Sequence, residues 1–317
     1  MKTTNKSHVR AALPLTLALT IAAALSNSTF AAPKLRIVAS TTDLAALAAE
    51  VGGDRTEIES LAPGVQDPHS VSAKPSYLLK LQHADLLVVA GLELDSWLTG
   101  SHHVQSAISQ SGNSRIQPGA SGYFQASQYA EIVEISAQAP SRDIHPLGNP
   151  HYWLDPENGR RIAQALAKKL SELQPNEASY FADRLRGFNE RLSDAESVWD
   201  AQIQPYRGRK VVTYRRSWSN FLKHFGLVSV GEIEPSPGIP PSHRHTTELI
   251  NIMKGENVKI ILVEPYFELK TPDAIARETG AEIVVMPSSV GGEKGITDYF
   301  TLFDYDLRLL TKAFKKI

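Results

Sequence analysis

Leu35-Arg36-Ile37-Val38-Ala39-Ser40-Thr41-Thr42-Asp43, running into an alanine-rich stretch that ends at Val51, decides the fold. The apolar and β-branched residues at 35–39 suit a buried strand, the hydroxyls and carboxylate at 40–43 suit a helix N-terminus, and alanine propagates a helix best. The stretch reads as strand, capped turn and helix. Downstream the unit recurs, with a strand at 56–61, a helix at 76–83 and a buried strand at 84–90 that stops at Gly91. Residues 96–99 start a further helix, and the Ser-, Gln- and Gly-rich region 106–144 reads as weak strands and loops. Strands alternating with helices imply a parallel sheet covered by helices, with binding loops beyond the carboxyl ends of the strands.

Two long helices follow. Residues 156–173 place Ile162, Leu166 and Leu170 on one face. Residues 176–203 carry Phe181, Leu185, Phe188, Leu192, Ala195 and Trp199 at alternating steps of four and three, the spacing of an amphipathic helix. At 1.5 Å per residue that helix is roughly 40 Å long, enough to bridge two lobes. The alternation then restarts, with strands at 210–213, 228–233, 260–263 and 282–286 and helices at 217–225, 246–254, 272–279 and 299–315. The expected class is α/β: two lobes, each with a mostly parallel sheet flanked by helices, joined by one long bridging helix. The expected boundaries are a signal peptide at 1–31, an N-terminal metal-binding lobe at 32–174, the bridging helix at 175–205 and a C-terminal lobe at 206–317.

Lys2, Lys6 and Arg10, an apolar run at 11–25 and small residues up to Ala32 have the form of a secretory signal peptide, with cleavage expected after Ala31. The apolar run is shorter than the roughly 20 residues that span a bilayer. The absence of cysteine excludes a disulfide framework, thiolate metal ligands and a lipid-modified N-terminal cysteine. A formal net charge of -1 without a long basic run gives nucleic acid and anionic membranes no footing. The expectation is a soluble monomer that handles a ligand outside the cytoplasm, in the periplasm of a bacterium with two membranes, without a lipid anchor.

Two short segments carry the chemistry: Asp67-Pro68-His69 and Asn149-Pro150-His151-Tyr152-Trp153-Leu154-Asp155-Pro156. Each sets one imidazole beside a proline-stiffened turn, so little ordering entropy is lost when a borderline divalent metal binds. His69 and His151 are candidate ligands, and Asp67 is a candidate orienting carboxylate for an imidazole. Tyr152 and Trp153 are expected to pack. His145, the pair His102 and His103, and the pair His243 and His245 are expected to be solvated. Glu264 closes the apolar strand at 260–263 and needs a partner for its charge. It either touches the metal or a metal ligand, or forms an ion pair with Arg215.

These motifs, with Ser40-Thr41-Thr42, the long helix and Glu264-Pro265-Tyr266-Phe267, resemble the substrate-binding proteins of zinc and manganese ABC importers over nearly the whole mature chain. The resemblance implies a non-enzymatic receptor that captures a divalent cation, zinc more readily than manganese, between two lobes and delivers it to a membrane permease. It places the first two metal ligands on His69 and His151. The family's third ligand falls on Arg215 and the fourth near Ser288, and neither residue fits. A guanidinium has no lone pair, and a unit charge about 4 Å from a dication would cost on the order of 8 kcal/mol at an effective dielectric near 20. Three outcomes are open: Arg215 turns away to a carboxylate, the site binds metal weakly through His69, His151 and Glu264, or the pocket accepts an anionic or chelated ligand. A zinc hydrolase using the same residues is a further alternative, without the His-Glu-x-x-His helix such enzymes often carry.

Overall fold

Alternation of side chains along the strands sets the layers of the molecule. In the computed structural model, which describes residues 1–4, 33–100, 105–134, 145, 147–235 and 238–317, the strands form two parallel sheets of four. The apolar leader, His102, His103 and residues 135–144 lie outside the described residues. The first sheet contains β1 (Leu35–Ala39), β2 (Thr56–Ser60), β3 (Leu86–Val89) and β4 (Tyr123–Gln125), in the order β2-β1-β3-β4. The second contains β5 (Lys210–Thr213), β6 (Val228–Glu232), β7 (Ile260–Val263) and β8 (Glu282–Val285), in the order β6-β5-β7-β8. Around the first sheet lie α1 (Thr42–Gly52), α2 (Pro75–His83), the single turns α3 (Ser96–Thr99) and α4 (Ala107–Gln110), and α5 (Pro156–Leu173). The long helix α6 (Ala178–Ile203) precedes α7 (Ser219–Phe225), α8 (His243–Gly255), α9 (Lys270–Thr279) and α10 (Tyr299–Phe314). The fold class is the one the alternation implies.

Caps explain several boundaries. Asp155 accepts from the Glu157 amide at 2.9 Å and Pro156 opens α5, so this helix begins where its sequence demands. Asp298 and Thr301 form a reciprocal capping box on α10. Helix α8 starts at His243, three residues before the expected 246, because the Ser242 hydroxyl accepts from the His245 amide at 3.2 Å. Helix α7 starts two residues late, after the 3-10 turn Arg216–Trp218.

Period two divides the core. Ile37 and Ala39 of β1 face one apolar cluster while Val38 faces another; in the second sheet Val211, Ile260 and Leu262 face inward while Val212, Ile261 and Val263 face a separate cluster. The inward faces of both sheets belong to one continuous cluster that also takes side chains from α1, α5, α6, α7 and α10. Helix α6 buries Phe181, Phe188, Leu192 and Trp199 in it, with Leu185 and Ala195 packed at the margin. Its 26 residues span about 39 Å. The two lobes thus share a core rather than meeting at a wet interface.

Loops at the carboxyl ends of the strands also lock together across the lobes. Asp43, at the start of α1, accepts from the Val290 amide at 2.8 Å, and the Trp153 indole N–H donates to the Ser288 carbonyl at 2.9 Å. Gly64 lies so close to the 290–292 backbone that a methyl group there would stand 2.0 Å from the Val290 carbonyl oxygen.

Candidate metal centre

Arg215, Glu264 and Ser288 follow closely on β5, β7 and β8, and the two histidine motifs sit on the longer loops after β2 and β4, at the sheet ends where parallel sheets open a crevice. After β2, Asp67 caps the 3-10 turn Pro68–Ser70 by accepting from the His69 amide at 3.0 Å, and its same oxygen, Oδ1, lies 2.7 Å from His69 Nδ1. Burial alone would raise the Asp67 carboxyl, but the His69 contacts and the nearby Arg215 charge outweigh it and hold the group down at about 2. An ionised carboxylate can only accept, so His69 Nδ1 carries a proton and Nε2 is the nitrogen left for a ligand.

After β4, Asn149 accepts from the His151 amide at 2.9 Å and donates to the Arg216 carbonyl at 2.7 Å, which ties the second motif to the opposite lobe. His151 is 5% exposed. Burial pulls its imidazole well below the ordinary histidine value, so the ring is neutral. Among the described residues its buried Nδ1 has no hydrogen-bond partner. The centroids of the His69 and His151 rings are 5.1 Å apart, close enough for both to face one ion. Tyr152 and Trp153 are fully buried packing residues whose polar tips bind backbone carbonyls.

His145 is not the solvated loop side chain that its surroundings suggest. Its ring centroid is 5.0 Å from that of His69, its Nε2 is 2.9 Å from His69 Nε2, and its Nδ1 is 2.7 Å from the Leu92 carbonyl oxygen. Its position six residues before His151 and the proline that follows it, Pro146, were the signals in the sequence that could have marked it. His245 is likewise engaged, with Nε2 2.8 Å from the Glu232 carbonyl, whereas His243 is exposed at the start of α8.

Arg215 lines the cleft, and its charge is already matched. Its Nη1 donates to Asp67 Oδ2 at 3.0 Å, its Nε and Nη2 donate to Glu234 Oε1 at 2.9 and 2.6 Å, and its guanidinium lies 4.5 Å from the centre of the Phe267 ring. The ion pair expected between Arg215 and Glu264 is therefore replaced by pairs with Asp67 and Glu234, whose carboxylates reach the guanidinium from both lobes. Glu234, just past β6, went unnoticed in the sequence because an isolated glutamate after a strand has no distinguishing neighbours.

Glu264 is fully buried, and among the described residues neither of its oxygens has a hydrogen-bond partner. Burial pushes its carboxyl up to about 7, against the opposing pull of the Arg215 charge. Ser288 is buried as well, its hydroxyl 3.1 Å from that of Tyr266. Neither Glu264 nor Ser288 lines the cavity, whose walls include His69, His145, His151, Arg215, Ser217 and Glu234. The cavity measures about 50 Å³, room for an ion and a little water, whereas organic ligands occupy pockets of roughly 300 Å³ or more.

Among the described residues no set of three or more histidine, aspartate or glutamate side chains is already spaced to hold a metal ion. The 2.9 Å between the facing nitrogens of His69 and His145 is shorter than the roughly 3.3 Å that separates two nitrogens on one tetrahedral zinc. An opening of a few tenths of an ångström would suit the pair to an ion.

The sequence matches the family described as zinc-uptake complex component A, periplasmic, over residues 37–313. It is 23% identical over 297 residues to the manganese ABC transporter substrate-binding lipoprotein PsaA of Streptococcus pneumoniae, covering 92% of each chain. It is 24% identical over 299 residues to the metal ABC transporter substrate-binding lipoprotein ScbA of Streptococcus cristatus, again covering 92% of each. Among solved structures, a zinc-bound deletion mutant of ZnuA superposes with a TM-score of 0.72 at 24% identity, covering 88% of this chain and 98% of the other. A manganese-bound periplasmic metal-binding protein from Candidatus Liberibacter asiaticus gives 0.72 at 19% identity, with coverage of 88% and 99%. Those structural likenesses speak for the fold. The family match carries the conclusion: this chain belongs to the periplasmic zinc-uptake complex component A family, a family of metal ABC transporter substrate-binding proteins and not of enzymes.

Proposed function

We propose that the chain captures a single divalent cation, zinc in preference to manganese, through His69 and His151 and hands it to the membrane permease of an ABC importer. The observation that carries this reading is the approach of two imidazoles, their centroids 5.1 Å apart, in a cavity of about 50 Å³. His69 is fixed as the Nε2 ligand by ionised Asp67, and His151 is held neutral by burial. Neutral imidazoles favour zinc, whereas manganese prefers carboxylate and water oxygens. Glu264, beside Ser217 and outside the cavity wall, serves in this proposal as a buried carboxylate that adjusts the local charge rather than as a ligand.

Arg215 does not oppose this function. Asp67 and Glu234 together place two negative charges on it, so the three side chains carry a net charge of -1 toward an incoming dication. The same pairing disfavours an anionic or chelated ligand, since two carboxylates already take three of the guanidinium's five N–H groups and outweigh its charge, and the cavity is too small for such a complex. Free residence in the periplasm is part of the proposal and is supported by a sequence without cysteine, although relatives of similar length are named lipoproteins.

Calorimetric titration of the chelator-stripped protein with zinc and with manganese tests the reading. One site is expected, with zinc the tighter ion. Replacing His69 or His151 by alanine should weaken zinc binding by at least about 100-fold, since loss of a mere outer-shell partner already costs 10- to 100-fold. Absence of both heat and thermal shift with either metal defeats the proposal.

A further inference from the structure

We infer that His145 is a metal ligand of this site, completing a three-imidazole set with His69 and His151 in place of the position that Arg215 occupies. The inference rests on the reading of the cleft as a cation site. It starts from tautomers. A backbone carbonyl can only accept a hydrogen bond, so the 2.7 Å contact with the Leu92 carbonyl places the proton of His145 on Nδ1. The Asp67 carboxylate does the same for His69 at 2.7 Å. Each ring therefore turns its Nε2 toward the other, and these two nitrogens face one another at 2.9 Å. Two imidazole nitrogens hold that distance when one positive centre, a proton or a metal ion, stands between or beside them. A divalent cation supplies one, with His151 closing the third side of the same cavity.

The backbone that orients His145 is itself unusual. Leu92 and Glu93 take left-handed conformations, with φ of 53° and 65°, which cost a non-glycine residue on the order of 1 kcal/mol or more each and persist where surrounding structure enforces them. Their effect is to aim the Leu92 carbonyl at His145 Nδ1. Metal-bound imidazoles commonly donate their second nitrogen to a carboxylate or a carbonyl, and here His69 has the one and His145 the other. All three ligands leave loops on the first sheet, while the second sheet contributes the charge-balanced Arg215 wall.

Zinc affinity by chelator competition and the visible spectrum of the cobalt(II) form, measured on wild type and on the His145→Ala and His145→Gln variants, test the assignment. Wild type is expected to bind one ion, and both variants should bind zinc at least about 100-fold more weakly, with a changed cobalt spectrum. In wild-type protein labelled with 15N-histidine, the Nε2 resonance of His145 should shift together with those of His69 and His151 on adding one equivalent of zinc, a readout that needs no variant to fold. If wild type binds zinc, both variants bind within threefold of it and the His145 resonance stays in place, His145 is not a ligand and the His69–His151 proposal survives. If wild type binds no metal, both readings fall together.

Discussion

Replacing Arg215 by glutamine should destabilise the protein far more than it weakens metal binding. The guanidinium and its two carboxylates are nearly sealed from water, with side chains of Arg215, Asp67 and Glu234 exposed by 13, 12 and 9%. Removing one member of such a network leaves a buried charge uncompensated, at a cost of about 3–5 kcal/mol. In a body of this size each kcal/mol is worth about 2–4 °C, so the melting temperature should fall by roughly 6–20 °C. The charge stranded on Glu234 causes much of that loss, and the double variant R215Q/E234Q should recover at least about 1 kcal/mol relative to the sum of the single changes. Asp67 keeps its bond to His69 Nδ1 in the variant, so zinc affinity should stay within about tenfold of wild type. Urea unfolding of chelator-treated wild type, both single variants and the double variant measures the cycle. An R215Q protein within about 1 kcal/mol of wild type, or strictly additive substitutions, would refute the claim that Arg215 is an internal clamp.

Two further consequences follow from contacts across the cleft. Burial raises the Asp43 carboxyl from 3.8 to about 7, so the folded protein binds a proton that the unfolded chain releases, and the stability this contributes is full below about pH 4 and lost as pH rises through 7. Between pH 5 and 8 that loss amounts to about 3 kcal/mol; Asp43→Asn, which keeps an oxygen for the Val290 amide, should remove it, and unfolding curves that change with pH equally in both proteins would contradict the assignment. Gly64→Ala would set a methyl group 2.0 Å from the Val290 carbonyl, so the 290–292 loop must retreat; a destabilisation of about 1–3 kcal/mol by urea unfolding is expected, and an unchanged midpoint would show that the two loops do not press together.

Much of the architecture was legible in one dimension. Periodicity over 176–203 identified α6 because a helix buries every third or fourth side chain whatever lies opposite. The bounds of β5, β7 and α5 agree with those expected because each is set by its own residues, an apolar run or an Asp-Pro cap. His69 and His151 could be singled out for a similar reason, since Pro68 and Pro150 fix the local backbone beside each ring. His145 also has a proline beside it, Pro146, but on its carboxyl side, and that local restriction does not say where the ring goes. Its orientation comes from the Leu92 carbonyl, 53 residues away in sequence, and from His69, 76 residues away.

By itself, then, the sequence determined the parallel α/β lobes, the long helix and two of the converging imidazoles, all of which follow from local backbone preference and side-chain period. Only the tertiary structure decided what Arg215 does, because the sign and size of a buried charge's effect depend on partners 148 and 19 residues distant, Asp67 and Glu234, rather than on its own position in the chain. It also decided that Gly64 must lack a side chain and that Glu264 stays out of the cavity, since close approach and burial are properties of two segments that meet in space and are invisible in either one alone.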